Sequence, residues 1–599
     1  MSAKDGILFL LKIVMIDFLP VNKKDLKNRD IEQLDFVLVT GDAYVDHPSF
    51  ANALVGRWLE YNGYSVGIIA QPNPKDINSF KILGKPRLGF LISAGNMDSM
   101  VNLYTVNKKR RSKDLYSPGG QRGLRAEYAT KIYSDRIRKA YPDVPIIAGG
   151  IEVSLRRFAH YDYWQDKVLP SILADSDVDI LIYGMGERAL LDIADALDGG
   201  IAVNDIVYVN GTVYKTPVLS RVYDYIKIPS FNETKNNKHK YAEAFVLQSR
   251  NNIKPLVQKH ENNWIICNPK SEPLNEQELD TVYSLPYLRK PHPMYKNPIP
   301  AFEEVKYSIT ATRGCVGECA FCALSYHQGK NIVSRSKESI IDEAKIFLKD
   351  KEFKGIIHDV GGPTANLYGA KCTNPNGTCD KRRCLTPAPC KFFKENQTEY
   401  LSVLKALREL EGIKKVFIRS GIRHDVAMMS KNNKFVKQLA KHYVSGQLKL
   451  APEHVSANVL SIMGKPKIDI YKSFCRLFYK ESGKCGKKQY ILPYFMSSHP
   501  GCGMKDAVEL AEFLRDEGFT PEQAQDFYPT PGTLATCIYY TGLNPYTLKP
   551  VFTEKNPERK AMQRALIGYK DPKNKSKVIK ALKEQNRYDL LNKGKKQLV

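Results

Sequence analysis

Three cysteines inside eight residues, in Thr312-Arg-Gly-Cys-Val-Gly-Glu-Cys-Ala-Phe-Cys, constrain this chain more than any other stretch. The spacing Cys315-x3-Cys319-x2-Cys322 places three thiols in one tight loop. Thiolates are the preferred ligands of iron–sulfur clusters. Three of them can hold three irons of a cubane and leave the fourth iron open to another ligand, which a four-cysteine electron-transfer site does not offer. Zinc is the alternative occupant. A closed structural zinc site needs four ligands, and His327 is the candidate fourth.

The remaining cysteines point the same way. Seven of the twelve lie between 315 and 390, in a chain of 599 residues. Such clustering in a large chain reads as metal binding in a reducing compartment, not as a disulfide framework. A second set, Cys372-x6-Cys379-x4-Cys384-x5-Cys390, has the count of a closed four-thiolate site for zinc or an auxiliary iron–sulfur cluster. The bland alternative is four unliganded cysteines. Because the set follows a strand's carboxyl end, its metal is expected on the active-site side.

Charge and hydropathy narrow the partners. The formal net charge of +26 favours polyanions, but it is spread along the chain. Its densest runs are Lys108-Lys-Arg-Arg111 and the tail from Val551, with 14 Lys/Arg against 5 Asp/Glu. A solvated surface and nucleic-acid contact both stay open. No uncharged apolar run reaches the ~18 residues of a membrane span. The stretch Ile7–Ile16 is broken by Lys12 and lacks a strongly basic start and a cleavage site, so the chain is read as not exported, with no membrane partner and a cytoplasmic location. Met15 offers an alternative start, because domain-like sequence begins only at about Asp35.

Two α/β domains are expected. Residues 1–34 form an N-terminal extension. Residues 35–200 alternate strand and helix, with strands at Asp35–Thr40, Ser65–Ile69, Arg87–Ile92, Val144–Ala148 and Val178–Tyr183. Val/Ile/Leu-rich strands with helical crossovers imply a doubly wound parallel sheet, whose strand-end glycines line a ligand crevice. Residues 201–300 read as a connector with a small β extension. Residues 301–550 alternate again, with strands near 306–312, 355–360, 415–420, 447–451, 489–495 and 524–528. Six βα units make a partial barrel, with its chemistry at the strands' carboxyl ends. Residues 551–599 read as a basic, helical, peripheral tail.

Here the motifs resemble a known family. Cys-x3-Cys-x-aromatic-Cys at the end of a barrel's first strand is similar to the radical S-adenosylmethionine (SAM) superfamily. The resemblance implies a [4Fe–4S] cluster on Cys315, Cys319 and Cys322 that reduces SAM bound at its open iron. It also implies that Phe321 packs near the adenine. Asp359-Val-Gly-Gly-Pro-Thr resembles the family's Gly-Gly-Glu segment; Pro363 replaces the acid, so the backbone of Gly361 and Gly362 is what carries over to the SAM amino group. Leu450-Ala-Pro-Glu453-His454 sits where the family contacts the ribose, and Tyr494-Phe-Met-Ser-Ser-His-Pro-Gly501 resembles the segment beside the adenine. Glu453 has a surface carboxylate as its alternative, and Arg419 and Arg423 have plain salt bridges as theirs.

Over residues 17 to 585 the chain resembles the YgiQ-type radical SAM proteins. Val39-Thr-Gly-Asp-Ala-Tyr-Val-Asp-His-Pro-Ser-Phe, Leu155-Arg-Arg-Phe-Ala-His-Tyr-Asp-Tyr-Trp-Gln-Asp, Gly361-Gly-Pro-Thr-Ala-Asn and Leu450-Ala-Pro-Glu-His carry that resemblance. It implies a reducing electron donor of flavodoxin or ferredoxin type and leaves the substrate unassigned. The first domain resembles the cobalamin-binding domains that precede many radical SAM cores. Their Asp-x-His-x-x-Gly signature is broken here at Asp46-His47-Pro48, so His47 is expected to be a hydrogen-bonded loop residue. The domain then binds cobalamin without a His ligand, binds substrate, or has lost ligand binding. Two classes of function remain: a SAM-cleaving enzyme, and an iron–sulfur or zinc RNA-binding module. The catalytic acid, base or radical relay is not assigned.

Overall fold

The computed structural model describes residues 17–251, 253–375, 379, 383–519, 521, 524–591 and 597–598. Met15 and the stretch Ile7–Ile16 lie outside the described residues, as does most of the interval between Cys372 and Cys384. Among the described residues no helix is long and apolar enough to cross a membrane.

The first half of the chain builds a doubly wound sheet. Strands β1 (Phe36–Thr40), β2 (Val66–Ala70), β3 (Gly89–Ser93), β4 (Ile146–Gly149) and β5 (Ile180–Ile182) are all parallel, in the order β2-β1-β3-β4-β5. Helices α1 (Ala51–Tyr61), α2 (Ala129–Ala140) and α3 (Glu187–Asp198) cover its faces. Alternation along each strand decides which face a residue serves. Phe36, Leu38, Ile68 and Leu91 pack with Trp58 and Leu59 of α1 and Leu190 and Ile193 of α3. Val37, Val39, Phe90 and Ile92 pack on the other side with Tyr133 and Ile137 of α2. Both faces are covered, which is why these strands read as unbroken apolar runs.

The stretch 201–300 departs from the connector expected of it. Strands β6 (Thr212–Thr216), β7 (Ile226–Ile228), β8 (Leu256–Lys259) and β9 (Trp264–Cys267) continue the same sheet beyond β5, in the order β5-β6-β9-β8-β7. The pairings β5/β6, β6/β9 and β9/β8 are antiparallel, and β8/β7 is parallel. Helix α4 (Lys238–Arg250) leaves this edge toward the second half, and α5 (Glu276–Ser284) returns to the sheet through Leu279 and Val282. The extension before residue 35 is likewise built in: Leu19 and Val21 enter the sheet core, and Ile68 N–H donates to the Pro20 carbonyl at 2.8 Å.

The second half is the open barrel. Its first strand is β10 (Ser308–Thr310), followed by the short helices and strands α6 (Leu324–His327), α7 (Lys337–Leu348), β11 (Ile356–Ile357) and β12 (Asp359–Gly361). Then come α8 (Gln397–Glu409), β13 (Lys415–Val416), α9 (Lys434–Gln438), β14 (Gln447–Glu453), α10 (Ala457–Met463) and α11 (Ile468–Lys484). The unit ends with β15 (Tyr490–Ser497), α12 (Met504–Asp516) and β16 (Gln525–Asp526). β10 pairs parallel with β12, β11 with β13, β14 with β15, and β15 with β16, while an isolated parallel bridge joins Ile422 to Leu450.

The tail is not peripheral. After α13 (Leu534–Thr541), helices α14 (Pro557–Ile567) and α15 (Lys575–Glu584) bury Met562, Leu566, Val578 and Leu582 in the core that holds Phe495 and Leu510. Gln563, fully buried, accepts from the Ser498 N–H at 3.0 Å and donates to the Cys502 carbonyl at 3.2 Å. The tail thereby fixes the loop that follows β15.

Candidate active site

The cysteine loop follows β10 and folds back against α6. Cys315 N–H donates to the Gly329 carbonyl at 3.1 Å, and Ser325 Oγ donates to the Cys315 carbonyl at 3.0 Å. Gly314 has φ 81°, and a Cβ there would meet the Asn331 carbonyl oxygen at 2.0 Å, so only glycine admits this entry to the loop. Ala320, between the second and third cysteines, is held from two sides: its N–H donates to Met463 O and its carbonyl accepts from Ala535 N–H, each at 2.8 Å. Elements distant in sequence therefore set the loop's shape.

Hydrogen-bond donors converge on its sulfurs. Gly317 N–H reaches Cys315 Sγ at 3.4 Å, and Thr364 Oγ1 lies 3.6 Å from the same atom. Arg423 Nη1 reaches Cys319 Sγ at 3.6 Å while its Nη2 is paired with Asp425 at 2.6 Å. Burial, and then the neighbouring Cys319 and Cys315, push the Cys322 thiol up to about 12. Among the described residues no three His, Cys, Asp or Glu side chains converge as they would on a single metal ion. His327, the candidate fourth zinc ligand, is engaged elsewhere: its Nδ1 lies 3.0 Å from Ser154 Oγ, and burial lowers the ring to about 4.

The barrel's strand ends bring the other expected residues around Phe321. Its ring meets that of His499 edge-on, with centroids 5.8 Å apart, and Lys465 Nζ stands 5.8 Å over it. Lys465 also lies 3.6 Å from Glu453 Oε1. Glu453 is no surface carboxylate: it is 6% exposed, its Oε2 has no partner, and burial raises its carboxyl, opposed by Lys465. It sits at a register shift in the β14–β15 pairing with φ 69°, a strained position for a non-glycine residue. Gly362 is required by strand contact: a Cβ there would meet the Thr312 carbonyl oxygen at 2.3 Å, while the Gly361 carbonyl accepts from Ala311 N–H at 2.6 Å. These two glycines thus press the second strand end against the start of the cysteine loop. Arg419 makes only an exposed pair with Glu304 at 3.1 Å, whereas Arg423 combines its salt bridge with the cysteine contact. By sequence Arg423 is a candidate with a plain salt bridge as its alternative, His499 and Thr364 enter only within longer segments, and Lys465 is not named at all, since their partners lie far along the chain.

The second cysteine set packs beside the first. Leu385, Cys390 and Phe393 share a core cluster with Val316, and Cys315 and Cys384 both pack against it. Burial, with Glu318 next in weight, raises the Cys384 thiol to about 11, and Cys379 and Cys390 add to the rise. Cys372 is exposed.

The sheet domain meets the loop across a cavity of about 930 Å³. Tyr183, Gly184 and Met185 at the end of β5 line it, as do α4 residues from Phe245 to Arg250, together with Cys319 and Cys322. The buried pair Arg313–Glu187 at 2.6 Å and the contact of His327 with Ser154 clamp the two halves beside it. The crevice between β1 and β3 is closed by protein. Arg125 fills it, pairing with Asp42 at 2.6 Å and Asp114 at 3.1 Å. His47 is wholly buried, its Nδ1 accepts from Ser49 N–H at 3.1 Å, and the rings of Phe50 and Phe302 stand edge-on to it. Asp46 is taken by Arg57 at 2.5 Å. These residues do not fit a cobalt-ligating histidine.

A family model described as "Radical SAM N-terminal" matches residues 18–308, and a domain of unknown function, DUF3362, matches residues 522–599. A UPF0313 protein of Clostridium botulinum (strain 657) is 51% identical over 587 residues, covering 97% of this chain and 92% of that protein. A UPF0313 protein of Clostridium perfringens (strain 13) is 51% identical over 591 residues, covering 97% and 89%. Among solved structures, the radical S-adenosylmethionine methyltransferase TsrM from Kitasatospora setae aligns with TM-score 0.47 at 12% identity, over 84% of this chain and 77% of its own. The cobalamin-dependent S-adenosylmethionine radical enzyme OxsB aligns with TM-score 0.46 at 13% identity, over 89% and 60%.

Proposed function

This chain belongs to the UPF0313, YgiQ-type family of radical SAM enzymes, and we propose that it holds a [4Fe–4S] cluster on Cys315, Cys319 and Cys322 and cleaves SAM reductively to begin radical chemistry on its substrate. The observation that carries this reading is the loop itself: three thiols, two of them met by N–H donors, and no fourth protein ligand from His327. When bound, the cluster supplies the electron that breaks a carbon–sulfur bond of SAM.

The chain's own residues prepare that site. Arg423, steadied by Asp425, puts positive charge beside Cys319 Sγ. Cys322, with its thiol raised by burial, needs a cation beside it to ionise, which suits a metal-loaded loop. Phe321 and His499 form an apolar wall for the adenine. Glu453 Oε2, buried and without a partner, is the acceptor for a ribose hydroxyl. The backbone of Gly361 and Gly362 receives the SAM amino group. Cys372, Cys379, Cys384 and Cys390 hold a second centre, of zinc or iron–sulfur type. A cytoplasmic donor of flavodoxin or ferredoxin type supplies the electrons. Cobalamin, if it binds, is not ligated by His47, and nucleic acid is a candidate substrate on charge alone.

Anaerobic reconstitution followed by iron, sulfide and zinc analysis tests the two metal sites. Replacing Cys315, Cys319 and Cys322 together by Ala should remove one cluster's worth of iron and leave the second centre's metal. An undiminished iron content in that variant would refute the first site. A variant holding neither zinc nor iron would refute the second.

A further inference from the structure

The cations of the cavity wall differ in how they are paired. Arg313 and Lys330 meet Glu187 and Glu318 at 2.6 and 2.7 Å, and Arg188 meets Glu278 at 2.5 Å. In Leu155-Arg-Arg-Phe158, Arg156 is paired with buried Asp98. Its neighbour Arg157 is 6% exposed and has no carboxylate partner among the described residues. Its Nη1 donates to the Ser154 carbonyl at 2.6 Å, the guanidinium also meets the Cys267 thiol, and its buried Nε has no hydrogen-bond partner.

Two tyrosine rings pack on the guanidinium, with Tyr326 and Tyr183 centroids 4.2 and 4.7 Å away. Such contacts offset part of the desolvation of a buried cation but do not neutralise it. A buried charge ordinarily has a paired opposite charge, because desolvation without one is costly. The rings restrict contact with the guanidinium's faces, and its donors lie in its plane, where a carboxylate or phosphate is met by charge-assisted bonds. On the barrel side, Arg383 reaches the carbonyls of Ser461 and Ile462, at 3.4 and 3.5 Å.

We propose that this cavity binds an organic anion whose carboxylate or phosphate is the missing counter-ion of Arg157. The volume of about 930 Å³ lies at the upper end of the roughly 300–1,000 Å³ of small-molecule sites. Its wall mixes aromatic side chains, Tyr183, Tyr326 and Phe245, with charged ones, among them Glu187, Glu272 and Lys270. A volume of that size suits an organic molecule rather than an inorganic ion. The inference rests on the radical SAM reading in one respect: the same cavity reaches Cys319 and Cys322, which puts the bound anion beside the site proposed for SAM cleavage.

Calorimetric titration of the full chain with inorganic pyrophosphate and, separately, with citrate tests this at moderate salt, with neither SAM nor reductant present. Failure here is thereby distinct from failure of SAM cleavage. Saturable binding of at least one anion is expected, and which one binds separates phosphate from carboxylate chemistry. Arg157→Gln should weaken that binding at least ten-fold, and Arg157→Lys, which keeps the charge but loses the planar fork, by less. If circular dichroism shows that Arg157→Gln does not fold, Arg157→Lys decides, and unchanged affinity in it overturns the proposal. Absence of binding by the unaltered protein, or undiminished binding by a folded Arg157→Gln, overturns it as well.

Discussion

The two halves of the molecule close their strand-end crevices in different ways. Between β1 and β3 the sheet domain closes its crevice with charge against charge, Arg125 meeting both Asp42 and Asp114. At the barrel's strand ends polar groups are buried without complete partners: Glu453 Oε2, Ser498 Oγ and His499 Nε2. Buried polar groups are costly unless paired. The first crevice is filled by its own ion pairs, although His47 Nε2 in the loop after β1 is also unpartnered, whereas the second leaves several polar atoms for a ligand. Each prediction below presses on that contrast.

The largest expected effect is acid lability of the barrel. Burial holds His424 and His499 at about 3 and His454 at about 4. Below about pH 6.5 the unfolded chain protonates these rings while the folded chain does not, so stability falls as pH drops toward 4. The loss approaches about 1.4 kcal/mol per pH unit for each histidine, or about 4 for the three. Urea titrations at pH 7 and pH 5 read it, and His499→Phe should flatten the slope by about 1.4 kcal/mol per pH unit.

In the sheet domain, Arg125→Met leaves two carboxylates buried without their cation. The cost is about 3–5 kcal/mol, seen as a lower urea midpoint. A cost below about 1 kcal/mol would mean that this crevice is not closed by its ion pairs. Gly362→Ala forces a methyl group onto the Thr312 carbonyl and should destabilise by about 1–3 kcal/mol. The smallest stability effect belongs to Glu453→Gln, which removes an incompletely paired buried charge. It should change stability by less than about 1 kcal/mol while weakening SAM binding about ten-fold, equivalent to about 1.4 kcal/mol. A large loss of stability without loss of SAM affinity would make Glu453 structural.

The same contrast explains what could be read from sequence. The barrel strands fall within a few residues of expectation because each is an apolar run followed by a helix of regular period, a local signal. Membership of β6 to β9 in the main sheet was hidden, because which edge a short Lys- and Asn-flanked strand joins is settled by distant partners. The tail misled by charge: its many lysines mask the spacing of Met562 and Leu566, and of Val578 and Leu582, which is that of helices with one buried face. In the site, the cysteine loop was legible as a spacing. The role of Arg423 was not, because its contact with Cys319 spans 104 residues and only its bond to Asp425 is local. Arg157 looked like one member of an arginine pair, and only the structure separates it from its paired neighbour.

The central claim is that the loop after β10 supports reductive cleavage of SAM. Its most direct test is 5′-deoxyadenosine released from SAM by anaerobically reconstituted, dithionite-reduced protein. The account predicts release by the unaltered chain and none when Cys315, Cys319 and Cys322 are replaced together by Ala. Undiminished release by that variant, or none from the unaltered protein with its cluster in place, would contradict it.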